Sequence, residues 1–129
     1  MTDNVVKFEQ RSRIRIEPIV DDVEGGIEKS LKLLLPSIEA YGRNLSLEDV
    51  VADIIDGASL LWHVYIEDTL VAAFTTCVLK HPLRHTLFIE FMGGVDMKVW
   101  MNAALNVLRE VCQRGGLSAI EADGRTGFS

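Results

Sequence analysis

The sequence predicts an α/β fold, a mixed β-sheet with helices packed against it, in the order β-α-α-β-β-β-α-β. Residues 60–92 contain three stretches rich in β-branched and aromatic residues, and a tight Glu67-Asp68 turn joins the first two, which predicts an antiparallel meander. Residues 97–114 repeat apolar side chains at helical spacing and lead into a short apolar strand. This last unit predicts a right-handed crossover between two parallel strands.

An alternating segment precedes these elements. Residues 11–20 alternate polar and apolar side chains, which predicts a strand with Arg11, Arg13 and Arg15 on one face. Because charged side chains commonly protect exposed sheet edges, we expect this face to be the solvated side of an edge strand.

Two helices follow the first strand. The first carries an apolar stripe and is expected to end or kink at Pro36, which lacks a backbone donor, with a further short turn stopped by Gly42. The second is predicted to begin at a capping box, in which Asp49 lies three residues after Ser46 and takes the place of the usual Glu. It is predicted to end at Gly57.

The remaining elements are predicted as strands over 60–66, 70–79 and 87–92, a helix over 97–114 and a strand over 117–122. Gly93-Gly94 ends the fourth strand. The long helix is predicted to bury one broad apolar face, made of Val99, Trp100, Ala103, Ala104, Val107, Leu108 and Val111.

The composition is that of one globular domain. The chain has 129 residues, of which 48% are hydrophobic and 25% charged, enough to bury a core. Residues 1–10 are polar and expected to be a loose segment before a single domain over 11–129. The net charge of -6 argues against a nucleic-acid partner, and no apolar stretch approaches the roughly 20 residues of a membrane helix. We expect neither kind of partner.

The cysteines and histidines favour neither a disulfide framework nor a metal site. Cys77 and Cys112 lie in apolar surroundings without CxxC spacing and are predicted to be buried thiols in a reducing compartment. No secretory signal pattern opens the chain, so a cytoplasmic location is expected. His63, His81 and His85 lack metal-site spacing, and no serine or cysteine has the context of a catalytic nucleophile.

Several weak motifs occur in a fixed order from Arg13 onward: Gly57-Ala58 before a Leu61-Trp62 strand start, Pro82 and Arg84 in a loop, Gly93-Gly94, Trp100 early in the long helix, and Gly124-Arg125 with Gly127-Phe128. Together with the element order, they make the chain resemble the GCN5-related N-acetyltransferase (GNAT) family, and within it short phage and prophage acetyltransferase-like proteins. The resemblance implies an acyl-CoA-dependent N-acyltransferase.

Glu90 is the residue to which the resemblance assigns catalysis. The family often uses a glutamate in this strand as the general base that deprotonates the acceptor amine. By strict alternation Glu90 lies on the face opposite Ile89 and Phe91. The alternative is a strand carboxylate that faces solvent or pairs with Arg84. Glu121 and Asp123 similarly suit either a cationic acceptor or a solvated edge.

Acetyl-CoA is the cofactor that the resemblance implies, with no metal. The backbone around Phe91, Met92, Gly93 and Gly94 would hold the pantetheine, and Lys98 would meet the pyrophosphate. The family usually has a glycine-rich signature at the start of this helix, where backbone N–H groups approach phosphate. Here Asp96 places a carboxylate in that position, so acetyl-CoA binding is not assured.

A second hypothesis therefore stands beside the enzyme: a non-enzymatic virion or assembly module that keeps the fold, with a regulatory or antitoxin-like binding partner as a third. The family continues beyond the fifth strand with a helix and usually two strands, whereas this sequence stops at Ser129. We expect the chain to be truncated or completed by a partner. The exposed sheet edge predicts self-association or a protein partner, and a phage-encoded protein would be virion-associated.

Overall fold

Five strands form one mixed sheet in the order β1-β2-β3-β4-β5 in the computed structural model, which describes residues 13–42 and 44–122. The first four strands pair antiparallel, and β5 pairs parallel to β4. The predicted fold class and element order are confirmed. The elements are β1 Ile14–Pro18, α1 Val23–Tyr41, α2 Leu47–Asp56, β2 Leu60–Ile66, β3 Thr69–Lys80, β4 His85–Gly94, α3 Met97–Gly115 and β5 Ile120–Ala122.

The sheet separates two apolar clusters. Helices α1 and α2 cover one face, where Leu34 and Ile54 pack with the strand residues Ala73 and Phe91. Helix α3 covers the other face, with Trp100, Ala104 and Leu108 against Trp62, Phe74 and Ile89. The Phe74 ring lies nearly parallel to both indoles, at centroid distances of 5.7 Å from Trp62 and 6.4 Å from Trp100. Each described helix thus buries one of its faces against the sheet, and the sheet buries both of its faces against helices.

Two local signals read from the sequence are confirmed. Ser46 accepts from the Asp49 N–H at 3.2 Å, and the Asp49 carboxylate accepts from the Ser46 N–H at 2.9 Å, so the capping box is complete. Glu67 and Asp68 both have positive φ, 49° and 66°, as expected of a tight hairpin turn whose twist matches that of its strands.

Helix α1 does not end at Pro36, which was one of the two outcomes predicted for this position. The helix continues through this proline to Tyr41 and is followed by Gly42. Pro36 removes one hydrogen-bond donor, but Leu34 and Ile38 on either side of it are 1% and 4% exposed. Because both halves pack on the sheet, tertiary burial outweighs the loss of that bond.

The predicted apolar face of α3 is too broad at its first turn. Val99 is 54% exposed, whereas Trp100, Ala104 and Leu108 are buried. The buried residues of α3 are Trp100, Ala104, Leu105, Leu108 and Cys112, and Val107 and Val111 pack beside them partly buried. Strand β5 is shorter than predicted and begins only at Ile120.

The N-terminal edge of the sheet is charged as predicted. Within β1, the Arg15 guanidinium contacts Asp68 at 2.8 Å and Glu17 at 3.0 Å and lies 4.4 Å from the centre of the Tyr65 ring. Arg13 pairs with Glu67 at 2.7 Å. Arg11, the expected loose segment 1–10 and the glycine-arginine motif at 124–128 lie outside the described residues. Among the described residues, no helix combines the length and apolarity that spanning a membrane requires.

Candidate functional site

An irregularity in β4 sets the position of Glu90. Thr75 pairs with Phe91 and Thr76 with Ile89, so Glu90 is an extra residue without a partner in β3. As a result Ile89 and Phe91 lie in different apolar clusters, on opposite faces of the sheet. The expectation that Glu90 lies opposite both of them is therefore wrong. The bulge breaks the alternation from which that expectation came.

The half-buried Glu90 side chain is held by a neighbour that follows α2. The Ser59 hydroxyl donates to Glu90 Oε1 at 2.7 Å, and Ser59 is 7% exposed. Its hydrogen-bond partner is thus Ser59, in place of the alternative partner Arg84, and part of the side chain remains exposed to solvent. Burial, with the nearby Glu90 carboxylate, raises the pKa of the Cys77 thiol to about 12. Cys77 is half-buried rather than fully buried as predicted, and at neutral pH it remains a thiol.

A cleft of about 320 Å³ opens where β4 ends, between the C-terminal half of α1 and the start of α3. Helix α1, the end of β4 and the first residue of α3 contribute its walls: Leu33, Pro36, Ser37, Tyr41, Met92, Gly93, Gly94 and Met97. Of the residues implied to bind a cofactor, the structure brings Met92, Gly93 and Gly94 to this cleft. Phe91 is buried in the cluster beneath α1 and α2, and Lys98 is exposed on the first turn of α3.

The backbone N–H of Met92 donates to a helix side chain and not to a neighbouring strand. The last described pair between β4 and β5 joins Ile89 to Ala122. Within residues 13–42 and 44–122, Met92 therefore pairs with Phe74 of β3 on one side and has no neighbouring strand on the β5 side. Its N–H donates instead to Ser37 Oγ on α1, at 3.2 Å. The preceding amide, that of Phe91, donates to Thr75 Oγ1 at 3.3 Å. One strand-end amide thus borders the cleft and is bound by a side-chain hydroxyl.

The two glycines at the end of β4 are required by packing within the protein. A Cβ atom at Gly93 would lie 1.8 Å from the Leu33 carbonyl oxygen of α1. Gly94 has a φ of 139°, and a Cβ there would lie 2.3 Å from the Val71 carbonyl oxygen. The absence of a side chain at Gly93 lets the backbone of α1 lie directly on β4, which closes one side of the cleft.

The connection between β4 and α3 carries opposite charges. Asp96 is the N-cap of α3 with φ 60° and ψ 33°, and its side chain makes no capping hydrogen bond. Lys98 follows on the first turn. The Trp100 indole N–H donates to the Val95 carbonyl at 2.8 Å and fixes the connection to the core. A diphosphate here would be attracted by Lys98 and the helix N-terminus and repelled by Asp96.

No protein-family model and no curated protein sequence matches the chain. Several solved structures, however, are similar to the chain. A GNAT family acetyltransferase from Staphylococcus aureus superposes with a TM-score of 0.61 at 12% identity, covering 91% of this chain and 90% of that one. The ribosomal-protein-alanine N-acetyltransferase of Brucella melitensis gives 0.62 at 15% identity, covering 88% and 81%. A predicted acetyltransferase from Clostridium acetobutylicum, solved with acetyl-CoA, gives 0.63 at 9%, covering 88% and 82%.

The chain has the GNAT fold. At identities of 9–15% the likeness establishes this architecture and leaves the activity to be argued from the site. The C-terminal half of α1, the end of β4 and the start of α3 are the parts of this GNAT fold that border the cleft, and the bulge at Glu90 lies two residues before Met92.

A second polar cluster joins β5 to the β3–β4 loop of the GNAT fold. His81 Nε2 lies 3.0 Å from Glu121 Oε2 and 3.2 Å from Thr86 Oγ1, and the Thr86 hydroxyl donates to the same Glu121 oxygen. Hydrogen bonds from Thr86 and His81, with the charge of Arg84, lower the pKa of Glu121. Glu121 and His81 are thus bonded to each other within the protein. Asp123 lies outside the described residues.

Two residues of the candidate site were missed from the sequence. Ser37 and Ser59 are buried serines that bind Met92 and Glu90 across large sequence separations. Neither serine belongs to a motif, and only the tertiary packing brings them to β4. In the part of the chain that the structure describes, no group of three or more His, Cys, Asp or Glu residues could hold a metal ion.

Proposed function

We propose that this chain is a GNAT-type, acyl-CoA-dependent N-acyltransferase. The observation that carries the proposal is the Met92 amide, a strand-end donor that borders a cleft two residues after the half-buried Glu90. A backbone donor placed in this way suits a thioester carbonyl, on which negative charge develops during attack by an amine. The fold similarity to acetyltransferases supports the same class of reaction.

The residues around the cleft fit the acyl end of acetyl-CoA. Met92 offers its N–H to a carbonyl oxygen, while Gly93 and Met97 line the space beside it. Lys98 is the cation that would meet the diphosphate, opposed by Asp96. When bound, acetyl-CoA supplies an acyl group activated as a thioester. The structure that was solved with acetyl-CoA supports this choice of cofactor.

Glu90 is the proposed general base. Ser59 fixes one of its carboxylate oxygens at 2.7 Å and so orients the side chain. The bulge keeps Glu90 out of the regular pairing with β3, on the strand whose end forms the cleft. In this arrangement Glu90 accepts a proton from the acceptor amine as the amine attacks. We place the reaction in the cytoplasm, because both cysteines are free thiols and a reducing compartment keeps thiols in that state.

A second candidate is a non-enzymatic protein that keeps the GNAT fold as an assembly module, for instance in a phage virion. The observation that favours it is the β4–α3 connection, where Asp96 faces the position of the diphosphate and both glycines are already required by internal packing. A second copy or another protein would then add to the outer edge of β5, which no described strand covers.

Calorimetric titration with acetyl-CoA separates the two candidates. The enzyme predicts a dissociation constant in the micromolar range, whereas the assembly module predicts no heat at millimolar ligand and a mass by light scattering that exceeds one chain. Glu90→Gln should retain acetyl-CoA affinity but slow CoA release with a panel of primary amines by about 100-fold or more. Glu110→Gln, in an exposed ion pair on α3, is the matched control and should change neither. An unchanged rate in Glu90→Gln would remove Glu90 from the mechanism.

A further inference from the structure

We propose that the Ser37 hydroxyl competes with the acyl carbonyl for the Met92 amide, so that Ser37 sets how strongly the cleft prefers acylated over free CoA. This inference rests on the proposed acyltransferase function. It concerns a residue of α1 that takes no part in the chemistry itself. Its basis is the hydrogen bond from the Met92 N–H to Ser37 Oγ at the edge of the cleft.

The Met92 amide points to the β5 side of β4, beyond the last described pair of these two strands. Further back along β4, the Leu87 N–H donates to the Ala119 carbonyl at 2.9 Å, on the β5 side. The Phe91 amide bonds toward β3, through Thr75 Oγ1. The next amide, that of Met92, therefore faces the β5 side, but the last paired residue of β5 lies opposite Ile89. Ser37 supplies the acceptor that a strand would otherwise provide.

The packing of α1 holds Ser37 in this place. Ser37 is 5% exposed, between Leu34 and Ile38, both of which are buried in the cluster beneath α1. One turn earlier, the Leu33 carbonyl lies against Gly93 with no room for a side chain between them. Because helix and strand backbones touch here, the Ser37 side chain reaches the Met92 amide without bridging water.

A Ser37 hydroxyl displaced from the amide has another acceptor within its own helix. A serine within a helix has a second partner in reach, the carbonyl four residues earlier, which here belongs to Leu33. The Ser37 side chain then turns between two states, one bonded to the Met92 N–H and one turned back to the helix. Only the second state offers the amide to a ligand. A carbonyl-bearing donor must therefore displace the hydroxyl, whereas free CoA, which has no thioester oxygen, does not.

Replacing Ser37 should change affinity for one ligand and not the other. In Ser37→Ala the amide loses this competing hydroxyl, and the dissociation constant of acetyl-CoA should fall about two- to tenfold, the equivalent of one net hydrogen bond. The dissociation constant of free CoA should stay within about twofold, because that ligand lacks the carbonyl. Ser37→Cys, which keeps the shape of the side chain with a somewhat larger atom that is a weaker acceptor, should shift acetyl-CoA affinity in the same direction.

The control is Ser30→Ala, a second buried serine on α1 whose hydroxyl donates to the Gly26 carbonyl at 3.0 Å, remote from the cleft. Calorimetry with acetyl-CoA and with CoA on all four proteins gives the ratio of the two constants, which a general loosening of α1 would leave unchanged. An equal shift for both ligands, or weaker acetyl-CoA binding in Ser37→Ala and Ser37→Cys, overturns the competition. Binding by none of the proteins overturns the proposed function and this inference with it.

Discussion

His63 illustrates how a single buried side chain ties stability to pH. Only 1% of this residue is exposed, and its Nε2 donates to the Gly26 carbonyl at 3.0 Å. Burial, together with the charge of Lys29, lowers the pKa of the imidazole below its ordinary value, although Gly26 and Glu17 act in the other direction. The folded protein therefore prefers the neutral ring.

The free energy of unfolding should consequently rise with pH across the histidine range. The unfolded chain binds the proton at the ordinary histidine pKa of about 6.5, while the folded chain binds it only at lower pH. Stability is thus complete above about pH 6.5 and is lost as the pH falls toward the folded value. Urea unfolding at pH 5.5 and 7.5 measures the difference, and His63→Gln should reduce it. An equal dependence in His63→Gln would assign the effect to other groups.

The identity of the candidate base could be predicted from the sequence, but its orientation could not. Glu90 was identifiable because a carboxylate stands among Ile89 and Phe91 in an apolar strand. Its orientation was not, because the bulge depends on how Thr75 and Thr76 pair with β4. The burial of His63 could not be foreseen either, because it depends on the packing of α1, whose Gly26 carbonyl accepts from the imidazole.

Among the elements, α1 and β4 approach each other most closely. Gly93→Ala would place a Cβ atom 1.8 Å from the Leu33 carbonyl oxygen, so the helix must move away from the strand. We expect this substitution to lower the free energy of unfolding by about 2–4 kcal/mol and to weaken acetyl-CoA binding at the cleft. Denaturant unfolding and calorimetry measure the two effects.

Gly115→Ala is the control for this substitution. Gly115 is the last residue of α3, and a Cβ there would meet only Leu117, at an ordinary 3.8 Å. Alanine should stabilise the helix by up to about 1 kcal/mol. If Gly93→Ala behaves like Gly115→Ala, the close contact between α1 and β4 is not what requires glycine at Gly93.

Local sequence signals predicted the elements well where a side chain meets its own backbone. The Ser46 capping box and the Glu67-Asp68 turn are of this kind, and both were predictable. Pro36 was misleading because its local cost is overridden by packing on both sides. The cleft could not be predicted, since Ser37 and Met92 meet only through the tertiary contact of α1 with β4.

Across the whole molecule, the sheet couples its two apolar clusters. Both tryptophans, Trp62 and Trp100, lie on the α3 side, stacked against Phe74. Ile38→Val removes a methylene group on the opposite side, where the residue is 4% exposed, and should cost about 1 kcal/mol. If the domain unfolds cooperatively, tryptophan fluorescence should report the same shift as far-UV circular dichroism.

The control for this experiment is Leu83→Ala, at a residue 98% exposed in the β3–β4 loop, which should shift neither signal. A shift in circular dichroism without one in fluorescence would mean that α1 and α2 unfold separately from the α3 side. The architecture itself was predictable at this scale, because element order and periodicity reflect the whole chain. The division into two clusters depends on the burial of particular residues.

The suppressed acidity of the thiols has a practical consequence. Burial raises the pKa of both Cys77 and Cys112, the two cysteines of the chain. Maleimides and iodoacetamides react with thiolates, so both native cysteines should be slow to alkylate in the folded state. A cysteine introduced at an exposed position, such as Leu83 at 98% exposure, can then be labelled selectively in the native sequence background. A single dye or spin label can therefore be attached without first replacing Cys77 and Cys112.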